Sequence, residues 1–337
     1  MTYNDVLEQA RGQMGPCKAC PVCDGRGCRG TIPGPGAKGV GDTAIRNYQA
    51  WQAVRVQMDT ICAGGEPDTH CTLLGHSFRL PVFAGPVGAV QLHYGRKYDD
   101  IAYNDILVPA CRDAGILAFT GDGTNPAVME AACGAVKAAD GFGIPTVKPW
   151  DADTVDKKMA LVRASKAFAV AMDIDAAGLP FLKNLNPPAG SKTVEELAQI
   201  ISDANVPFLV KGIMTARGAE KAIQAGAAGI VVSNHGGRVL DGTPATAEVL
   251  PEIAAAVNGR ALVLVDGGIR SGLDVFRALA LGADAVLIAR PFVTAVYGGG
   301  AAGVQAYVDQ LQAELADTMT MCGAHTLAEI SRDMVRL

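Results

Sequence analysis

From residue 80 onward, short apolar runs alternate with longer stretches in which apolar residues recur at helical spacing. The runs are LPVFA (80–84), ILAFT (116–120), IPTVK (144–148), FAVAM (168–172), PFLVK (207–211), GIVVS (229–233), ALVLVD (261–266) and AVLIA (285–289). Runs this short and this continuously apolar predict parallel strands buried on both faces. The segments between them, such as TVEELAQIISDA, TARGAEKAIQAG and GLDVFRALALGA, predict helices, several ending at glycine. Eight strand-helix units predict an α/β chain folded as a closed (β/α)8 barrel. An open doubly wound sheet is the competing architecture, but the count of eight and the polar residues just after the strands favour the barrel, which keeps its sites at the C-terminal mouth.

Residues 1–79 read as an N-terminal extension that covers one barrel end, and residues 80–337 as the barrel. Within the extension, DTAIRNYQAWQAVRVQMDTI predicts an amphipathic helix, while GTIPGPGAKGVG is too rich in glycine and proline for regular structure. VQAYVDQLQAELADTMTMCG predicts the eighth barrel helix and TLAEISRDMV a short terminal one. A net charge of -5 gives no general attraction to nucleic acid or to an anionic membrane, so any anion site depends on local charge. The first residues lack an apolar leader, and no run of about 18 uncharged apolar residues occurs, so a cytoplasmic location is expected.

The strand ends carry the candidate chemistry: Asp173, Lys211, Ser233 with His235 and Arg238, Asp266 with Arg270, and Arg290. Any one of these has a bland reading as a solvated strand end or turn residue. Five consecutive strand ends with ionisable groups do not. DGGIRSG after strand 7 and ARPF after strand 8 stand where barrels commonly build a phosphate site, with Arg270 and Arg290 able to add charged contacts.

LVKGI, VVSNHGGRVLDGTPATAEVLPEI and DGGIRSGLDVFRALALGADAVLIARP closely resemble the FMN-dependent α-hydroxy-acid oxidases and dehydrogenases, a family that includes glycolate oxidase, lactate oxidase and mandelate dehydrogenase. The resemblance is strongest over about residues 205–295 and extends more weakly back to PVFAGPVGA. It implies FMN at the barrel mouth, held by Lys211, Ser233, Asp266, Gly267, Gly268, Arg270, Ala289 and Arg290, with Lys211 stabilising the anionic reduced flavin. It further implies that His235 takes the α-hydroxyl proton of a small 2-hydroxy acid while the α-hydrogen passes to flavin N5. Arg238 pairs with the substrate carboxylate, and Asp173 stabilises protonated His235. The two glycines between His235 and Arg238 leave room for substrate and flavin. The electron acceptor is not specified, and a tetramer or octamer is expected.

Two features depart from the family pattern. The segment after strand 4, DIDAAGLPFLKNLNPPAGSKT, is short and lacks the second carboxylate-binding arginine of the family's lid. Strand 3 ends in Lys148 and Trp150 where glutamine and tyrosine are expected. Lys148 either binds substrate in place of the missing arginine or is an ordinary strand-end lysine. Four of nine cysteines, Cys17, Cys20, Cys23 and Cys28, crowd into CKACPVCDGRGC. Zinc sites and iron–sulfur clusters use close thiolates, but there is no separated second CxxC pair. The x4 gap and absent following proline also depart from the bacterial ferredoxin run. The loop is therefore read as carrying free or redox-active thiols and no metal. The alternative functions are an FMN enzyme of the type 2 isopentenyl diphosphate isomerase kind, or a flavin-binding redox sensor without turnover.

Overall fold

The structure, a computed structural model, describes residues 1–179, 182, 184 and 189–337. Eight parallel strands close into a barrel: β1 Val82–Ala84, β2 Leu117–Thr120, β3 Ile144–Val147, β4 Val170–Asp173, β5 Phe208–Ile213, β6 Gly229–Val232, β7 Leu262–Val265 and β8 Ala285–Ile288. Each corresponds to one of the apolar runs. The strands are buried almost throughout, which is why the runs do not alternate with polar residues.

Three helices precede the outer ring: α1 Tyr3–Ala10, α2 Asp42–Ala53 and the short α3 Val90–Tyr94. The ring is α4 Asp100–Asp113, α5 Pro126–Ala138, α6 Ala152–Ser165, α7 Val194–Ala204, α8 Ala216–Gln224, α9 Thr246–Val257, α10 Gly272–Ala280 and α11 Arg290–Cys322. Side-chain caps start most of them. Thr193 and Ser271, for example, each accept from an N–H three residues on, and the acidic residue there returns the bond. The eighth helix is longer than its pattern predicted, since it starts directly at the end of β8 and bends at Gly300.

Two predicted helices are shorter or different. The helix starting at Asp42 stops at Ala53, and Arg55–Val56 pairs antiparallel with Val335–Arg336. TLAEISRDMV forms two 3-10 turns, because Ser331 between them is extended (φ -128°, ψ 165°). The N-terminal segment also reaches both ends of the barrel. The hairpin of Cys71–Leu73 and His76–Phe78 places Phe78 edge-on against Phe83 at 4.9 Å, beneath the strands. Helix α2 lies at the mouth, against the loops that follow β6 and β7.

Candidate active site

The register of β4 and β5 sets Asp173 beside Lys211 at the mouth. The Lys211 ammonium is buried, 3.1 Å from Asp173 Oδ1, 3.4 Å from Asp266 Oδ2 and 3.2 Å from Ser233 Oγ. Burial disfavours its charge, but Asp173 and Asp266 together hold its pKa above the usual lysine range. Burial likewise opposes ionisation of Asp173, and Lys211, His235 and Lys148 outweigh it, so this carboxyl lies well below the usual range. Lys148 Nζ stands 3.5 Å from Asp173 and lines the same cavity as Lys211. Trp150 does not line that cavity but donates its indole N–H at 2.6 Å to Asp122, which does.

The carboxylate bonded to His235 is that of Asp175, with Oδ1 3.1 Å from Nδ1, and not that of Asp173. The cause is local. Pairing of β5 with β6 slips between Lys211 and Ile213, and Gly212 in the slip has φ 104°. A Cβ at 212 would lie 2.6 Å from Asp175 Cβ and Cγ, so glycine is what admits the Asp175 side chain. Asp173 remains near the imidazole but is committed to two lysines. Asp173, Asp175 and His235 have ligand atoms within 4.8 Å of one another, yet the adjoining ammonium groups suit this trio to handling a proton better than a cation. His235 itself has φ 55°, a left-handed turn, and its N–H donates to Ser233 Oγ at 3.1 Å.

Helix α2 braces this turn. Asn47 and Asn234 exchange amide bonds of 2.8 and 3.0 Å, and Trp51 donates to the Gly267 carbonyl at 2.7 Å. Asp241, from the same SNHGGRVLD string, accepts the backbone N–H groups of Val40, Gly41 and Thr43. A Cβ at Gly237 would meet Thr43 at 3.0 Å, and one at Gly268 the Asn47 backbone at 2.5 Å. Gly237 therefore makes room for the N-terminal segment, where the resemblance implied room for ligands, while Gly268 both admits that segment and lines the cavity, as Gly236 does. Arg238 also faces the cavity, with Nη1 donating to the carbonyls of Gly34 and Gly36 at 2.7 and 2.8 Å.

The cavity holds about 380 Å³ and is walled by Lys148, Asp173, Lys211, His235, Arg238 and Asp266, with Gly267, Gly268, Arg270, Ala289 and Arg290 on its β7–β8 side. Ser233 stands behind this wall. Sequence reasoning missed Asp175 as well as His93 and Tyr94, which line the cavity from α3. The adjacent pair in VQLHYGRKY was the available signal. His93 Nδ1 accepts from the Gly34 N–H at 3.1 Å, and burial, then Arg238 and Lys148, push its pKa down to about 4. The lid segment after β4 lies in part outside the described residues.

FMN fits this donor set. Among the described residues, Arg238, Arg270 and Arg290 form no ion pair with a carboxylate although all three face one cavity, as suits a phosphate and a substrate carboxylate. Asp266 Oδ1 and the hydroxyls of Thr120 and Thr146 are buried without partners at or below the mouth. The volume lies within the roughly 300–1,000 Å³ common for cofactor sites.

The model of the FMN-dependent dehydrogenase family matches residues 35–181 and 181–337. The chain belongs to this family, and it is an FMN-dependent oxidoreductase. A peroxisomal (S)-2-hydroxyacid oxidase of Arabidopsis thaliana is 32% identical over 326 residues, covering 87% of this chain and 88% of the relative. An L-lactate oxidase of Lactobacillus jensenii is 48% identical over 141 residues, 42% of this chain and 35% of the relative. A crystal structure of a single-substitution variant of mandelate oxidase with benzoyl-formic acid superposes with a TM-score of 0.80 at 26% identity, covering 100% of this chain and 98% of that one.

Proposed function

We propose that the chain oxidises a small 2-hydroxy acid to the 2-oxo acid, with His235 as the base. The observation that carries this reading is that His235, bonded to Asp175 behind it, faces the same cavity as Arg238 and the buried Lys211. A carboxylate only accepts, so Nδ1 of His235 carries the proton of that bond and Nε2 offers its lone pair to the substrate hydroxyl. Asp175 then steadies the imidazolium that forms. Arg238, fixed at one nitrogen by the Gly34 and Gly36 carbonyls, directs its remaining N–H groups to the substrate carboxylate. Lys148 adds positive charge on the same wall.

Gly267, Gly268, Arg270 and Arg290 would hold the phosphate of FMN, and Lys211 with its Ser233 and Asp266 partners would stand at the ring. FMN bound there would supply the acceptor for the two electrons and the α-hydrogen lost by the substrate. Nine free thiols suit a reducing, cytoplasmic compartment, and none of the described helices is long and apolar enough to cross a membrane. We further propose a tetramer or octamer, for which light scattering is the check. Anaerobic addition of lactate, glycolate or mandelate should bleach the bound flavin. Failure of all three, and of longer 2-hydroxy acids, would remove the reading.

A further inference from the structure

We propose that Cys17, Cys20, Cys23 and Cys28 hold a [4Fe–4S] cluster in a second cavity that shares a wall with the flavin site. All four thiols are free, and all four line one cavity of about 250 Å³. Three come from the CxxCxxC loop itself. The fourth is folded back by the turn at Gly25 and the 3-10 turn Arg26–Cys28. In the bacterial ferredoxin run the fourth cysteine serves a different cluster, so its spacing there is no guide to a single cluster whose fourth ligand returns through a turn. The structure thus removes the objection that spacing raised.

The size and charge of the cavity favour a cluster over a single ion. Four thiolates around one zinc, at about 2.3 Å each, would bring the sulfurs within roughly 4 Å of one another. Among the described residues, the only His, Cys, Asp or Glu trio with ligand atoms mutually within 4.8 Å is Asp173, Asp175 and His235, so no three of these sulfurs are that close. The four still face the same space, as ligands at the corners of a larger inorganic core would. A tetrathiolate cluster is anionic, and the cavity supplies cations. Arg290 Nη1 lies 4.0 Å from Cys28 Sγ, and Arg270 Nε donates to the Cys23 carbonyl at 2.8 Å. Pro35, Arg270 and Arg290 line both cavities, so a single side-chain layer separates the cluster from the flavin site.

This placement assigns the electron acceptor's route, a step that rests on the 2-hydroxy acid reading. Oxidation of the hydroxy acid to the oxo acid releases two electrons and two protons. The protons go to solvent, the hydroxyl proton by way of His235. The electrons leave singly, each reducing the cluster by one before passing to an external one-electron acceptor, such as ferricyanide or a small iron–sulfur protein. The four thiols are all only partly buried, which leaves the cluster within reach of such a partner.

The test uses the full chain purified without oxygen and reconstituted with ferrous iron and sulfide. About four iron and about four acid-labile sulfide per chain are expected, with a paramagnetic signal after dithionite. Cys20→Ala and Cys23→Ala should lose the iron while circular dichroism and flavin content report that the barrel is folded. In the wild type, 2-hydroxy acid alone should generate the cluster signal. One zinc per chain, a disulfide among the four, or no bound iron after reconstitution would each overturn the proposal, even if substrate bleaches the flavin. Bound iron without bleaching would leave the cluster in place and remove the hydroxy acid reading with its electron route.

Discussion

Asp173 and Asp175 differ by two positions and face different partners. The family resemblance implied Asp173, at the end of β4, as the partner of His235. Which carboxylate reaches the imidazole depends on the slip at Gly212 in the neighbouring strand, and no pattern within DID encodes it. The two substitutions should therefore separate. His235→Ala should retain FMN and slow anaerobic flavin reduction by on the order of 10²-fold or more. Asp175→Asn should also slow reduction and change its pH profile. Asp173→Asn should chiefly weaken flavin retention by leaving Lys211 with one carboxylate instead of two. His93 supplies a stability test. Its folded pKa of about 4 lies below the ordinary histidine value near 6.5. The unfolded chain therefore takes up the proton first as pH falls. Stability is fully present above about pH 6.5 and is lost as pH falls toward 4, by about 3 kcal/mol. Denaturant midpoints at pH 7 and pH 5 should differ less in His93→Gln than in the wild type.

The strands were legible in the sequence because burial on both faces leaves a continuous apolar run, and the strand-end residues followed from their positions. The packing of α2 was not legible. Asn47 meets Asn234, and Thr43 meets Gly237, across nearly two hundred residues with no periodicity to announce it. For the same reason both glycines of GGR read as clearance for ligands, when Gly237 accommodates a helix. At β5, Gly212→Ala would place a methyl 2.6 Å from the Asp175 side chain on a backbone at φ 104°. It should cost about 1–3 kcal/mol and slow flavin reduction without abolishing FMN binding. Thermal unfolding and stopped-flow absorbance read the two effects separately.

Across the whole molecule, stability and cofactor content are linked, because a ligand that binds only the folded chain stabilises it by mass action. At about 100 times the dissociation constant, FMN should add about 2.7 kcal/mol, and the stripped protein should melt at a lower temperature. Arg290→Ala should weaken flavin retention by on the order of 10-fold or more, read by equilibrium dialysis, since a guanidinium facing the phosphate site would be gone. A mutant that stays fully loaded would show that this arginine does not hold FMN.

The pairing of α2 with the loop after β6 also orders events in time. During synthesis Asn47 leaves the ribosome long before Asn234, 187 residues later, and before Gly267, to which Trp51 donates. The segment that braces the turn at His235 must wait, largely unpartnered, while six strands and most of the ring are made. A nascent chain stalled before residue 230 should therefore leave α2 open to protease, and protection should arrive only once β6 and β7 have emerged. The first part of the protein to be made is among the last to settle, and catalytic competence comes with the closing of that long loop.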